Sequence, residues 1–446
     1  MSKYVVFSDQ DQAGSQSLMY HTMTSAMLRI DNTHKKALFS LENDTASAEK
    51  LSEFIPMLKE NCFVVEDDSA EDIMLENFFD SLQKGDPYIF QATVLTTYAC
   101  NMACIYCFEE GIKDHVYMDD DTCDDVIDYI KRHVTEKKQK KILICFYGGE
   151  PLLNTEPMFR IASELYGWSA QHNIIFNCSM ISNGTLLNMD IVQNLLKYGL
   201  ESIRVSVDGM RTHHDSRRPM RGGGVSFDRI MENIKSVADL VPIEIVGTYD
   251  HESLPGIFEF IDHLDQEGLL GRLRGIGFSP LVPRLGPKDN PGKIELAECM
   301  SFIEGDGLIM ETLKINRELL KRGLLMRTGL GINMCPMMMR RGAVSIDPKG
   351  KIYNCNSFIG HEDFSIGSVF DENVITNKYA EISAWKKCPK DCPYLPMCQG
   401  GCRFFAYTES KDVSAVCCKR GFYDRMIPEA IKLEYECMRK KAEKKN

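Results

Sequence analysis

From Phe90 to Leu281 the chain alternates short β-branched or apolar runs with longer stretches whose apolar residues recur at i, i+3 and i+4. The runs "FQATVLTTYA", "KILICFYGG", "IIFNCSMISN", "ESIRVSVDG", "VPIEIVGTYD" and "RLRGIGFSPL" predict strands, and segments such as "DDVIDYIKRHV", "MDIVQNLLKYG" and "FDRIMENIKSVADL" predict the helices between them. Strands joined by helices pair in parallel through right-handed crossovers and need both faces covered. The expected class is therefore α/β, a partial (β/α)6 TIM-like barrel, with a doubly wound open sheet as the alternative. Chemistry is expected at the carboxyl ends of the strands. Cysteines follow the first strand, "GGEP" the second, "SNGT" the third and "SVDG" the fourth.

The flanking regions differ in texture. In residues 1–85, alternating runs near "YVVFS" and "AMLRID" precede a helical stretch, "AEKLSEFIPMLKENCFVV", and acidic "EDDSAED" opens a linking helix. That size and order predict a small winged-helix-like unit. Residues 86–290 hold the barrel, 291–334 a helical bridge, and 335–446 a region of Cys, Pro and Gly with few long periodic segments. Such a region buries little apolar surface and is expected to draw stability from metal crosslinks.

Composition narrows the partners. The 446 residues carry a formal charge of -12, which repels phosphate backbones and anionic lipid, so neither nucleic acid nor a membrane is an expected partner. The start, "MSKYVVFSDQDQAGSQSL", has no basic stretch leading into an apolar run, and the expected location is the cytoplasm. Seventeen cysteines, mostly in tight clusters, point to metal ligation in a reducing compartment. The isolated ones (Cys62, Cys123, Cys145, Cys178, Cys299 and Cys437) are expected as small buried hydrophobes.

Cys100, Cys104 and Cys107 stand at C-x3-C-x2-C spacing with no fourth cysteine nearby. Three thiolates on one loop can hold three corners of a four-iron four-sulfur cluster, and the iron left open is a reactive position. Structural zinc and an electron-transfer cluster are the alternatives. "CNMACIYC", with Tyr106 before its last cysteine, and "GGEP" at residues 148–151 resemble the radical S-adenosylmethionine (SAM) enzymes. The resemblance implies that SAM chelates the open iron and is split to a 5′-deoxyadenosyl radical that takes a hydrogen atom from substrate. Gly148 and Gly149 would let backbone approach the methionine amino group, with Glu150 as a charged acceptor. It also carries Ser182 ("SNG"), Ser206 and Asp208 ("SVDG"), and Arg218 ("HDSRR") to the cosubstrate's ribose and carboxylate, turn chemistry being the other reading of the first two motifs. It implies no catalytic group beyond the cluster-bound cosubstrate.

Downstream come Cys335, Gly350 followed by Cys355, then "CPKDCPYLPMCQGGC" with Cys388, Cys392, Cys398 and Cys402, then Cys417 and Cys418. This pattern resembles the SPASM extension of peptide-modifying radical enzymes, departing only in the first interval of the middle block, three residues rather than two. A zinc ribbon is the alternative, disfavoured because C-x2-C pairs are absent. The resemblance implies three 4Fe-4S clusters in all. Cys335, Cys355 and Cys402 would hold the first auxiliary cluster; Cys388, Cys392, Cys398 and Cys418, or Cys417, the second. The first is one donor short, because Gly329 stands where some relatives have a further cysteine. A substrate thiolate is expected there; Cys299, another side chain or water are the alternatives.

Within this group the chain looks most like the ribosomal-peptide maturases called sactipeptide or ranthipeptide synthases. The implied reaction is a thioether crosslink from a Cys sulfur to a backbone or side-chain carbon. The implied partners are a precursor peptide, its leader added as a strand to a sheet edge of the front unit, and an electron donor such as flavodoxin or ferredoxin. An anaerobic sulfatase maturase is the runner-up, disfavoured by the residues in front and by Asn356, where that family has an Asp as its proposed base. Carbon-carbon crosslinking, epimerisation and backbone excision share the radical step. A non-catalytic iron-sulfur or zinc scaffold is the reading outside enzymology.

Overall fold

The computed structural model describes residues 1–9, 16–41, 45–107, 109, 115–250, 252–281, 306–324, 330–373 and 376–443. Cys299 and Gly329 lie outside them. The first three strands, β1 (Val5–Asp9), β2 (Gln16–His21) and β3 (Met27–Asp31), form an antiparallel sheet in the order β1-β2-β3. Strands β4 (Ile89–Leu95), β5 (Lys141–Tyr147), β6 (Ile175–Ser182), β7 (Leu200–Ser206), β8 (Ile243–Tyr249) and β9 (Leu273–Pro280) are the six expected from the pattern, and each pairs in parallel with the next. From β4 to β9 the strands lie side by side in sequence order, as successive β-α units of a barrel do.

Residues of β5, β6 and β8 alternate between buried and half-buried. One face packs Ile142, Ile144 and Phe146 into the core under the crossover helices, and the other lines the inside of the sheet. The helices Asp120–Glu136 and Met189–Leu196 start where Asp119 and Asn188 accept N–H bonds from Thr122 and Ile191, satisfying donors that helix starts leave open. Their apolar stripes, among them Val126, Ile130, Val192 and Leu195, close the same core.

The expected break at residue 335 is not a break in the sheet. Strand β10 (Val344–Ile346) pairs in parallel with β4, and β11 (Lys351–Tyr353) and β12 (Gly367–Ser368) continue it antiparallel, giving the order β12-β11-β10-β4-β5-β6-β7-β8-β9. Asp347, in the β10–β11 turn, accepts from Tyr98 OH (2.7 Å) and Tyr353 OH (3.4 Å), joining the loop before Cys100 to the strand before Cys355.

The front unit is a three-stranded meander followed by helices Asn32–Phe39, Thr45–Leu51 and Ile55–Glu60, with the linking helix Asp68–Lys84 behind them. The single helix expected over 48–65 is thus two, with Pro56 in the first turn of the second. This unit docks on the C-terminal region: Tyr4 OH donates to Lys390 O (2.9 Å), Thr22 Oγ1 to Pro393 O (2.6 Å) and Ser8 Oγ to Pro428 O (2.6 Å). Phe79 stacks on Trp385 at 4.2 Å. The C-terminal region therefore buries more apolar surface than its composition suggested, and it ends in a 24-residue helix, Arg420–Glu443. Among the isolated cysteines Cys123, Cys178 and Cys437 are buried, while Cys62 and Cys145 are half-buried. No helix among the described residues is long and apolar enough to cross a membrane.

Candidate active site

At the carboxyl ends of the parallel strands lies a cavity of about 150 Å³ lined by Cys100, Cys104, Cys107, Tyr106, Gly149, Ser182, Ser206 and Arg218, all expected from the sequence. Met102, Glu109, Tyr147, Ile181 and Asn183 also line it and were not anticipated. The cysteine loop is zipped to residues 217–221: Ala103 N–H donates to Pro219 O (2.8 Å), Ile105 N–H to Arg217 O (3.0 Å) and Arg221 N–H to Asn101 O (2.9 Å).

Gly148, Glu150 and Asp208 are not among the residues lining the cavity. Gly149 N–H donates to Thr97 O (3.0 Å) and Glu150 N–H to Ala99 O (2.8 Å), so the glycines bring this backbone against the chain leading to Cys100. A Cβ on Gly148, whose φ is +144°, would meet Thr97 O at 2.4 Å, and one on Gly149 would meet Ala99 O at 2.3 Å. Close approach is needed here between two strand ends.

Glu150 was expected as a charged acceptor for an amino group. It is fully buried behind the cavity, where its carboxylate accepts from Ser182 Oγ (2.8 Å), Asn183 N–H (2.7 Å) and Leu152 N–H (3.1 Å). Burial pushes it up to about 7, against those hydrogen bonds. These bonds hold the "SNG" turn against the "GGEP" turn. Asn183 then reaches Asn101 Oδ1 (2.8 Å) and lies 4.0 Å from Cys100 Sγ.

Asp208, also fully buried, anchors a charged cluster. It lies 3.0 Å from Arg218 Nε, accepts from Thr248 N–H (2.9 Å), and takes a short hydrogen bond from Tyr106 OH. Burial raises this carboxyl, yet the Arg218 guanidinium and these hydrogen bonds hold it below the usual carboxylate range. The guanidinium carbons of Arg217 and Arg218 lie 5.1 and 5.3 Å from the Tyr106 ring centroid, and Arg217 pairs with Asp250. Arg218 Nη1 is 3.9 Å from Cys104 Sγ, a cation placed beside one of the three thiols of the loop. His214, which burial lowers to about 4, accepts from Asp208 N–H (3.4 Å) and fixes the "SVDG" turn.

The downstream thiols gather in two sets. Cys335, Cys355 and Cys402 pack around Met337, Phe358 and Phe404. Burial raises Cys355 to about 12, and the neighbouring charges of Cys335 and Cys402 add to that. Cys388, raised by burial to about 11, is near enough to feel Cys398, Cys392 and Cys418. Cys418 is thus near the second set, and Cys417, raised by burial to about 11, also feels Cys402 and Cys398. Cys417 is buried against Phe405 and Ala406, and its Sγ faces Glu409 Oε1 at 3.8 Å.

Among the described residues, no three His, Cys, Asp or Glu side chains stand close enough to share one metal ion. A cubane takes one thiolate per iron, so its ligands line a cavity rather than converge on a point. The three thiols around the strand-end cavity, with Arg218 beside one of them, fit such a group.

Residues 94–260 match the family model described as the Radical SAM superfamily. The chain carries a radical SAM domain. The protein is an enzyme, and the matched domain implies a 4Fe-4S cluster and SAM. The serine-type anaerobic sulfatase-maturating enzyme of Bacteroides thetaiotaomicron is 23% identical over 353 residues, covering 70% of this chain and 82% of that one. Mycofactocin maturase MftC of Mycobacterium tuberculosis is 23% identical over 320 residues, covering 69% and 76%. Among solved structures, native anSMEcpe with bound AdoMet and Cp18Cys peptide superposes with a TM-score of 0.59 at 15% identity, covering 79% of this chain and 100% of that one. Streptococcus suis SuiB bound to precursor peptide SuiA gives a TM-score of 0.54 at 14% identity, covering 94% and 99%.

Proposed function

We propose that the protein is a peptide maturase: a radical SAM enzyme on a partial (β/α)6 barrel, with a winged-helix-like front unit over residues 1–85 and a SPASM region over 335–446. In this reading Cys335, Cys355 and Cys402 hold one auxiliary 4Fe-4S cluster and Cys388, Cys392, Cys398 and Cys418 a second, three with that of Cys100, Cys104 and Cys107. The observation that carries it is the gathering of the downstream thiols into those two sets. Three donors on the first set leave a place for a substrate sulfur, so the reaction we assign is a thioether crosslink from Cys sulfur to a backbone or side-chain carbon of a ribosomally made precursor peptide.

The bound cluster and cosubstrate supply the one-electron chemistry and hydrogen-atom abstraction. The chain's own residues position and shield. Arg218 balances charge beside Cys104, Tyr106 lies beside two guanidiniums and donates to Asp208, and Tyr147 and Ile181 give the cavity part of its apolar wall. In the front sheet β1 leans on the Arg420–Glu443 helix through Ser8, while β3 is the other edge and pairs only with β2 among the described residues. A leader peptide added there as a fourth strand would complete the sheet. The 94% coverage by the SuiB fold, against 79% by anSMEcpe, supports a front unit of this kind. Flavodoxin or ferredoxin as electron donor and a cytoplasmic location complete the reading.

Sulfatase maturation is the second reading, favoured by the relative from Bacteroides thetaiotaomicron. Against it, the residue after Cys355 is Asn356, whose Oδ1 accepts a hydrogen bond from Ser345 Oγ, and a carboxamide is no base. Mass spectrometry of a candidate cysteine-containing precursor coexpressed with the enzyme decides. A thioether removes two hydrogens and keeps the sulfur, the expected result; loss of two hydrogens together with exchange of sulfur for oxygen selects formylglycine formation and overturns the proposal.

A further inference from the structure

Arg403 is fully buried, and every hydrogen bond it makes ends on a main-chain carbonyl. Nη1 donates to Val413 O (2.8 Å) and Ala415 O (2.7 Å), Nη2 to Gly400 O (2.6 Å) and Gly401 O (2.9 Å), and Nε to Gly401 O (3.3 Å). Among the described residues no carboxylate forms an ion pair with it. Carbonyls satisfy its donors but are dipoles, and Asp412, held below the usual carboxylate range mainly by Ser414 and in part by this guanidinium, is exposed. The buried charge thus has no buried counter-ion among the described residues, where one is needed.

Its position supplies the missing counter-charge. Arg403 follows Cys402 of the first auxiliary set, and its field reaches Cys335 of that set and Cys388 of the second. The same five bonds tie the turn at 400–401, between Cys398 and Cys402, to the segment running into Cys418. One side chain thus spans both sets.

We propose that Arg403 is the shared counter-charge of the two auxiliary cysteine sets, a positioning residue that keeps both clusters easier to reduce than their ligands alone would. The inference rests on the auxiliary clusters of the proposed function. Reduction adds negative charge to a cluster, and a fixed, dry cation nearby favours the reduced form. An arginine supplies that charge at every working pH; a buried lysine would not.

The test is an EPR-monitored redox titration of anaerobically reconstituted full-length protein, with iron content measured first. Wild-type protein that carries only the first cluster sinks the assignment of the auxiliary clusters, before any variant is read. In Arg403→Gln the reduced-to-oxidised ratio at a fixed potential should fall about tenfold for both auxiliary signals, about 59 mV for a one-electron couple, with the Cys100/Cys104/Cys107 signal unmoved. Full iron with unmoved auxiliary potentials, or one shift common to all three signals, overturns the inference. Arg403→Lys keeps the reading falsifiable should the glutamine variant lose iron. Its auxiliary potentials should stay near wild type at pH 7 and fall as the pH is raised, while wild type stays flat; a flat lysine profile overturns the inference.

Discussion

Replacing Gly149 with alanine puts a methyl group where two strand ends touch. The new Cβ would stand 2.3 Å from Ala99 O and 2.5 Å from Tyr98 O, both backbone atoms, whereas ordinary contact begins at 3.4 Å. The two chains must part by roughly 1 Å, an overpacking strain of about 1–3 kcal/mol. Parting also stretches the Gly149 N–H to Thr97 O and Glu150 N–H to Ala99 O bonds, each contributing about 1 kcal/mol. The expected total is about 2–4 kcal/mol of stability. Because the displaced segment leads directly into Cys100, a shift of ~1 Å is expected to slow SAM cleavage about 100-fold. The assay is anaerobic denaturant unfolding together with the rate of 5′-deoxyadenosine release. Gly167→Ala is the control: it lies in the helix Thr155–Gln171 with open space at its Cβ, so it should leave the rate unchanged and gain up to about 1 kcal/mol. A Gly149→Ala enzyme with wild-type stability and rate would refute the close-approach account of "GGEP".

Cys418→Ser should remove the iron and the spectroscopic signature of one auxiliary cluster, while Cys417→Ser keeps both; iron analysis with Mössbauer spectroscopy reads the difference. Asp208→Asn leaves the buried Arg218 guanidinium short of its counter-charge and should cost about 3–5 kcal/mol of stability in denaturant unfolding. Because the folded state holds this carboxyl below its ordinary 3.8, its contribution is present in full above that value and is lost only as the pH falls through the depressed one. The stability gap between wild type and Asp208→Asn should therefore be flat from pH 6 to 9.

The strands were legible because period-2 patterning survives where one face is buried, as in β5 and β8. Strand β2 was not, since five of its six residues are buried and no alternation remains. The final helix was hidden by Pro428, which local rules read as a breaker. The extension of the main sheet by β10 escaped notice because three residues carry too little pattern. In the site, residue types announced the cysteine loop and the strand-end motifs. What they do there was less visible. The ladder between the cysteine loop and residues 217–221 is backbone to backbone and leaves no side-chain signature, and the burial of Glu150 behind the "SNG" turn depends on how β5 and β6 pack. Adjacent Cys417 and Cys418 look alike in sequence, and their surroundings differ: Cys417 is buried against Phe405 and faces Glu409, while Cys418 is exposed near Cys388.

The most direct measurement is anaerobic: reconstituted protein, a strong reductant and SAM, with 5′-deoxyadenosine quantified for wild type and for Cys104→Ala. Reductant-dependent release of 5′-deoxyadenosine and methionine by wild type, abolished in Cys104→Ala, is the predicted result. A wild-type protein that holds zinc alone at this loop, or releases no 5′-deoxyadenosine with its iron in place, would contradict it.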